Sequence, residues 1–208
     1  PWNVSLNTAS NLIWYNAIGD VAFIGVSGAF TEREAGPHLN EACQWLNTMS
    51  GHDSKPNWLF LLGHWDRDTS TPSEQCDPCL HMDTPSIYHR MRNITGCKEY
   101  GNRFKYQDGH THCNYIREVV PSSTYGDLSI ANSEPLGVTI GGAGMSGCSQ
   151  YGFEYIDSDN ESLRLWYFEL ENATGPSRST EILQCIKENG LPNCTQYGKL
   201  WFEGNSSN

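Results

Sequence analysis

The sequence has few basic residues and no long apolar run, and each shortage excludes a class of protein. Its 208 residues include 13 Lys and Arg against 24 Asp and Glu, which gives a formal net charge of −11 at pH 7. A chain this acidic has little with which to neutralise phosphates, so we expect no nucleic acid duplex as a partner. No apolar run approaches the roughly 18 residues of a membrane helix, so we expect no membrane span.

A leader segment is also missing, whereas cysteines and glycosylation sequons are abundant. No basic stretch followed by an apolar one opens the chain at Pro1, so no signal peptide is visible. An even number of cysteines at this density is typical of disulfides in an oxidising compartment. The eight are Cys43, Cys76, Cys79, Cys97, Cys113, Cys148, Cys185 and Cys194. Six Asn-x-Ser/Thr sequons begin at Asn3, Asn93, Asn160, Asn172, Asn193 and Asn205.

Together these features predict a disulfide-bonded glycoprotein that carries N-linked glycans on its surface. We expect it to be secreted or extracellular, or to reside in the lumen of the secretory pathway. Such a protein needs a leader, so either the leader was removed or this sequence begins partway into a longer precursor.

The apolar pattern favours a mixed α/β fold in which strands dominate. Residues 11–18 and 20–26 read as two strands of a hairpin split by Gly19, and the run 58–62 reads as an inner strand. Helical spacing predicts a helix from about Pro37 to Met49. Further predicted strands are 104–107, 115–118, 128–130, 137–140, and the pair 151–156 and 163–170. Further predicted helices are 84–92, with Thr84 as its cap and Pro85 at its first position, and 182–187 before a Gly/Asn/Ser-rich tail.

Three histidines follow predicted strands through a glycine. His64 comes after the strand 58–62, and His110 and His112 come after the strand 104–107. Open α/β sheets place their ligand-binding loops at strand ends. Neutral imidazole is a good ligand for zinc, iron or manganese, so these three side chains are the candidate metal ligands.

These motifs occur in an order that resembles a known family. Leu61-Leu-Gly-His-Trp-Asp66 is followed by Gly109-His-Thr-His112 and then by Gly137-Val-Thr-Ile-Gly-Gly-Ala-Gly144. The order resembles the C-terminal half of the calcineurin-like metallophosphoesterases, in particular their secreted eukaryotic members. The resemblance covers roughly residues 12–170. It implies a two-sheet β-sandwich flanked by helices, of which the N-terminal half is not in this chain.

The resemblance also implies a site and a reaction. The family hydrolyses phosphoesters with two metal ions, whose shared hydroxide attacks phosphorus in line. By resemblance, His64 and His110 share one ion and His112 binds the other. Trp65, beside His64, is the candidate for an aromatic side chain that faces the substrate.

The family's first-half motifs have no counterpart here. These are an Asp-x-His, a Gly-Asp-x-x-Asp and a Gly-Asn-His followed by Asp or Glu. Asp108-Gly-His110 matches the first literally but lies inside the other motif, and Gly101-Asn102 is followed by Arg103. No catalytic residue can therefore be assigned, because the bridging carboxylate, the Asn ligand and the proton-donating His have no candidates.

Several alternatives stay open. The missing motifs lie upstream of Pro1 or on an N-terminal fragment of the same precursor, or this chain is a non-catalytic structural or adhesive module. A mononuclear zinc site with three histidines is a third possibility. Cys76-Asp-Pro-Cys79 could be a redox or zinc motif, but its loop setting favours structural disulfides, with Cys97 or Cys113 as partners.

We therefore expect metal-dependent hydrolysis of a phosphoester substrate by two zinc, iron or manganese ions, whose remaining ligands lie outside this chain. If the site is incomplete, we expect one metal ion or none. We expect residues 1–170 to form the C-terminal portion of a metallophosphoesterase-like domain. Residues 171–208 are expected to form a disulfide-containing, glycosylated extension.

Overall fold

The described part of the chain, for which a computed structural model was obtained, has two large β-sheets between layers of helix and a separate two-stranded sheet. The structure describes residues 7–10, 12–27, 32–49, 55–65, 83–109, 113–117, 119–120, 128–129, 137–140, 150–159, 161–172 and 177–205. The strands are β1 (Asn7–Ser10), β2 (Ile13–Ile18), β3 (Val21–Val26), β4 (Trp58–Leu62), β5 (Phe104–Asp108), β6 (Asn114–Arg117), β7 (Val119–Val120), β8 (Leu128–Ser129), β9 (Gly137–Ile140), β10 (Gln150–Ser158), β11 (Ser162–Asn172) and β12 (Lys199–Asn205). The helices are α1 (Glu32–Thr48), α2 (Thr84–Met91) and α3 (Ser179–Asn189), with 3₁₀ helices at Lys98–Arg103 and Leu191–Tyr197.

The larger sheet has seven strands in the order β1-β2-β3-β4-β5-β9-β6. Strands β3, β4, β5 and β9 are parallel to one another, whereas β1, β2 and β6 are antiparallel to their neighbours. The predicted hairpin is confirmed, since β2 and β3 pair across Gly19, whose φ of 57° suits glycine. The parallel strands at the centre are buried on both faces, which explains their nearly continuous apolar sequences.

Helices α1 and α2 cover one face of this sheet, which we call the helix face. Its core combines aliphatic side chains with aromatic rings and is made by Ile13, Tyr15, Ala22, Ile24, Leu39, Ala42, Cys43, Leu46, Leu59, Leu61, Ile87, Tyr88, Met91, Cys97, Tyr100, Phe104 and Tyr106. A disulfide between Cys43 and Cys97 joins α1 to the segment after α2 across 54 residues of chain. In the chain-entropy model a loop of that length stabilises the fold by about 4 kcal/mol.

Both predicted helix starts on this face need correction. Helix α1 begins at Glu32, so Pro37 lies inside it rather than at its first position. The extra turn buries Ala35, and Gly36 lets the Arg90 guanidinium approach closely. Helix α2 is capped by Asp83, not by Thr84, because the Asp83 carboxylate accepts a hydrogen bond of 2.7 Å from the Ser86 N–H.

The second sheet packs on the opposite face, which we call the sandwich face. Its order is β10-β11-β12, and β10 and β11 form the predicted antiparallel pair. The shared core is made by Val21, Trp58, Phe60, Val138, Leu163, Leu165 and Phe202. Each fully buried side chain of this size contributes about 1.5–3 kcal/mol through the hydrophobic effect.

Helix α3 covers the outer face of the second sheet, so the order of layers is helix, sheet, sheet, helix. Phe168 of β11 stacks on Phe153 of β10 at 5.0 Å and contacts the α3 core around Ile182. The disulfide Cys185–Cys194 ties α3 to the following 3₁₀ helix. The prediction of an irregular tail after residue 187 is wrong. Helix α3 continues to Asn189, and residues Lys199–Asn205 form β12, a strand with alternating burial that the sequence analysis did not predict. The proposed domain division near residue 170 stays a prediction.

Candidate functional site

The carboxyl ends of the parallel strands meet at one edge of the larger sheet, and a cleft opens there. Its volume is ≈ 370 Å³, which is enough for a small ligand. The cleft is lined by Trp14, Gly25, Val26, Leu62, Gly63, His64, Gln107, Asp108, Gly109 and Ile140. This is the position at which α/β sheets bind their ligands.

One row of residues across the sandwich face forms the base of this cleft. Trp14 pairs with Gly25 across the hairpin, Gly25 pairs with Leu62, and Leu62 pairs with Gln107. Cross-strand partners of this kind point to the same side of a sheet. The cleft is therefore aromatic at one end of the row and polar at the other.

His64 lies at this edge, as the sequence predicted, directly after β4 and Gly63. Its side chain is exposed and belongs to the cleft wall. The Trp65 ring meets the imidazole edge-on, with 5.0 Å between centroids. Trp65 is not among the residues that line the cleft, and Trp14, which the motif search missed, is.

The backbone ties the two histidine-bearing loops together. The Gly63 N–H donates to the Gln107 carbonyl at 2.9 Å, and the Gly109 N–H donates to the His64 carbonyl at 3.2 Å. These bonds extend the pairing of β4 and β5 beyond the ends of the strands. Gly109, the residue directly before His110 in the sequence, is therefore hydrogen-bonded to the backbone of His64. His110 and His112 themselves lie outside the described residues.

Helix α2 supports the same loop from the helix face. The Thr84 N–H donates to the Trp65 carbonyl at 2.8 Å. Gly63 packs so closely on Thr84 that a Cβ there would overlap the threonine side chain. The glycine before His64 therefore has a steric role, because only a residue without a side chain permits this approach.

Asp108 adds a carboxyl group that the sequence search did not assign to the site. It is the last residue of β5, lines the cleft and is 2% exposed. The sequence signal that could have identified Asp108 is a charged residue at the carboxyl end of a buried parallel strand. His64 and Asp108 are the ionisable side chains among those that line the cleft. Within the described ranges, no three His, Cys, Asp or Glu side chains come together as a metal site.

The cysteines confirm disulfide bonding but not every suggested partner. Cys97 pairs with Cys43, so its suggested bridge to the loop that holds Cys76 and Cys79 is wrong. Cys113, directly after the Gly-His-x-His segment, is also disulfide-bonded. None of the described cysteines is free, which fits an oxidising compartment. Cys76, Cys79 and Cys148 lie outside the described residues.

Three of the six sequons lie at exposed positions, namely Asn93, Asn193 and Asn205. Asn172 ends β11, whereas Asn3 and Asn160 fall outside the described ranges. Exposure is what a glycan requires, and glycosylation itself stays a prediction. No helix in the described part of the chain is long and apolar enough to span a membrane.

A solved structure shares this arrangement of sheets and helices. It is the purple acid phosphatase PPD1 isolated from yellow lupin (Lupinus luteus) seeds, with a TM-score of 0.51 and 14% sequence identity. The match covers 98% of this chain and 34% of that chain, so this chain spans about a third of its length. No protein-family model matches the chain, and no curated protein sequence does.

The likeness shows the fold. Two sheets with flanking helices form a metallophosphoesterase-like α/β sandwich, and the partial coverage fits an incomplete domain. At this identity the likeness extends to the fold alone, and membership of the metallophosphoesterases and of their secreted eukaryotic type stays a prediction. The roles of His64, His110, His112 and Trp65 stay predictions as well.

Proposed function

We propose that this chain is the C-terminal portion of a metal-dependent phosphoester hydrolase. The observation that carries the proposal is the hydrogen bond from the Gly109 N–H to the His64 carbonyl at the cleft edge. It supports the idea that His64 and the Gly-His-x-His segment act at one site. The metallophosphoesterase-like fold gives the proposal independent support.

The chemistry of the donors fits divalent or trivalent cations. An imidazole at His64 and a buried carboxyl at Asp108 border one cleft, and such groups are common ligands of zinc, iron and manganese. We propose that His64, His110 and His112 are ligands, with the remaining ligands outside this chain. Bound metal ions would supply Lewis-acid activation of a phosphoryl group.

The neighbouring residues would place the substrate. Gln107 can donate and accept hydrogen bonds at the floor of the cleft, and Leu62 and Ile140 offer apolar surface beside it. The Gly63–Thr84 contact and the Gly109–His64 hydrogen bond fix the direction from which the imidazole enters. Positioning of this kind is a large part of catalysis in phosphoryl transfer.

The missing ligands define the proposed partner. The chain spans 34% of the phosphatase to which it is similar, and the family's carboxylate and Asn-His motifs are not in its sequence. We propose that an N-terminal segment of the same precursor supplies them, whether or not the precursor is cleaved. The disulfides and exposed sequons support an extracellular or secretory-lumen location.

Hydrolysis of 4-nitrophenyl phosphate tests the proposal. The protein would be expressed in a secretory host with every residue that its gene encodes, and turnover measured before and after chelation and metal return. We expect chelation to abolish turnover, and His64→Ala to lower kcat/KM at least about 100-fold, because a ligand is lost. His38→Ala is the matched control and should retain activity, because His38 is a half-buried residue of α1 that does not line the cleft.

Turnover that survives both chelation and the loss of His64 would contradict the proposal. Absence of any turnover in the complete protein would favour the non-catalytic structural or adhesive module instead. Elemental analysis separates the remaining possibility, since a mononuclear zinc site holds one metal ion per chain and a binuclear site holds two.

A further inference from the structure

We propose that Trp14 is a specificity-determining residue that selects phosphoesters bearing a planar aromatic group. This inference rests on the proposed function, because it names the substrate class of that same cleft. The shared chemistry is a flat π-system in the alcohol portion of the ester, either an aryl group directly on the ester oxygen or a nucleobase beyond a sugar.

The placement of Trp14 is set by the glycine opposite it. Trp14 on β2 and Gly25 on β3 are cross-strand partners, and the indole lies directly over Gly25. A Cβ at Gly25 would overlap the indole Cε2 and Nε1 atoms. The absence of a side chain at Gly25 therefore makes the room in which the indole packs against the sheet.

The exposure of Trp14 contrasts with that of its neighbours on the same strand. Tyr15 is 8% exposed and packs on Trp45 at 4.9 Å, and Ile13 is 1% exposed. Trp14 remains 37% exposed although its ring is large and apolar. Part of the indole packs on Gly25, and Trp14 is one of the residues that line the cleft.

The cleft continues from the indole with apolar and then polar groups. Leu62 and Gln107 follow Trp14 and Gly25 along the row, and Val26 and Ile140 add aliphatic surface. His64 and Asp108 border the same cleft. A phosphoester with its phosphate near His64 would therefore direct its leaving group along the row towards the indole.

Stacking on an aromatic side chain is worth about 1–3 kcal/mol for a nucleobase, which corresponds to roughly a five- to 150-fold effect. Aliphatic groups lack the flat π-surface and gain much less. A cleft lined by the Trp14 indole should therefore distinguish phosphoesters by the shape of their leaving group, while the contacts to the phosphate remain the same for every substrate.

The test compares aromatic with aliphatic ligands in the full-length protein. Binding of phenylphosphonate and methylphosphonate would be measured by calorimetry, and kcat/KM for 4-nitrophenyl phosphate, AMP and glycerol 2-phosphate by phosphate release. The variants are Trp14→Ala and Trp14→Phe. Ile18→Ala, an exposed residue at the far end of the same strand, is the control.

We expect the wild type to bind phenylphosphonate about tenfold more tightly than methylphosphonate. Trp14→Ala should remove that preference and lower kcat/KM on the aromatic esters about tenfold, with less than about a twofold change on glycerol 2-phosphate. Trp14→Phe should retain most of the preference. The comparison of AMP with 4-nitrophenyl phosphate shows whether a nucleobase or a simple aryl group fits better.

The inference is overturned if the wild type shows no aromatic preference, if neither phosphonate binds, or if the preference survives in Trp14→Ala. Its failure is distinguishable from failure of the hydrolase proposal. Binding preference that is lost in Trp14→Ala, in a protein without turnover, would support the aromatic site and reject hydrolysis.

Discussion

The two faces of the seven-stranded sheet are built from different kinds of residue. The helix face is covered by α1 and α2, and its core of aliphatic, aromatic and disulfide-bonded side chains lies beside the buried Thr84 and His89 of α2. The sandwich face also buries polar groups, including Lys105, which is 2% exposed with its ammonium group 4.5 Å from the centroid of the Phe202 ring. On the same side, the Asn114 amide donates to the Tyr167 hydroxyl at 2.7 Å.

Each face of the sheet has a structural core, and the sandwich face also carries the row of residues that forms the base of the cleft. The helix face has the composition of a structural core, with the disulfide adding to packing. Both faces bury polar groups at some cost, and the row from Trp14 to Gln107 on the sandwich face forms the base of the cleft. The same sheet therefore gains stability from a core on each face and presents the base of its candidate site on the sandwich face.

The largest expected effects come from neighbouring residues of β4 that point to opposite faces. Phe60 lies in the sandwich core and Leu61 in the helix-face core, and both are fully buried. We expect Phe60→Ala and Leu61→Ala to lower the free energy of unfolding by about 4 and about 3 kcal/mol, respectively. Denaturant unfolding measures both, with the exposed Ile18→Ala as a control that should change little.

A loss of less than about 1 kcal/mol in the free energy of unfolding of Phe60→Ala would contradict the description of a core on the sandwich face. It would mean that the second sheet is not packed on the sandwich face. A large loss in Leu61→Ala alone would then leave the helix face as the single core of the protein.

A second prediction concerns Glu154 on β10. Its Oε1 is buried with no hydrogen-bond partner among the described residues, and burial raises the pKa of this carboxyl to about 8. The folded chain therefore holds a proton that the unfolded chain releases above its ordinary pKa of 4.5. More protons bound in the folded state means that stability falls as pH rises from about 4.5 to about 8.

Glu154→Gln should remove this decline, because the amide is neutral at every pH. Although its Oε1 is buried, Glu154 as a whole is only half-buried, so we expect a gain of only ~2 kcal/mol at pH 9 and almost none at pH 4. Unfolding titrations at several pH values measure it, with the exposed Glu203→Gln as the matched control. A wild type whose stability is flat between pH 4.5 and 8 would argue against a buried, protonated Glu154.

The smallest expected effect tests how the helix face supports the cleft. Asp83 caps α2, whose first residue bonds to the Trp65 carbonyl beside His64. Asp83→Ala should lower the free energy of unfolding by about 1 kcal/mol, and Asp83→Asn should recover most of it. Thermal unfolding measures both, and equal losses in the two variants would show that the cap does not act through its hydrogen bond.

Much of the fold could be predicted because apolar runs mark the inner strands. The run from Trp58 to Leu62 was bounded correctly, since a parallel strand buried on both faces has no polar positions to obscure its ends. The start of α1 could not be found in this way. Pro37 is typical of a helix start, and only the packing of Ala35 and of Gly36 on Arg90 reveals the extra turn.

The site was predicted from motifs, and motifs reveal only part of it. His64 stands out because a glycine and a histidine follow an apolar strand. Trp14 lies 50 residues earlier in the chain, and only the register of β2 on β3 and of β3 on β4 brings it to the cleft. Long-range pairing of this kind leaves no local signal in the sequence. Asp108 was noted only as a literal Asp-x-His match inside the Gly-His-x-His segment and was not assigned to the site.

The central claim is that His64 binds a metal ion at this cleft edge. The most direct test is a crystal of the full-length protein, measured at the absorption edge of each metal that elemental analysis detects. The account predicts an anomalous peak about 2.1 Å from an imidazole nitrogen of His64, a typical distance for a histidine ligand. A metal-replete crystal with its peaks elsewhere, and with the imidazole of His64 bonded only to water or protein, would contradict it.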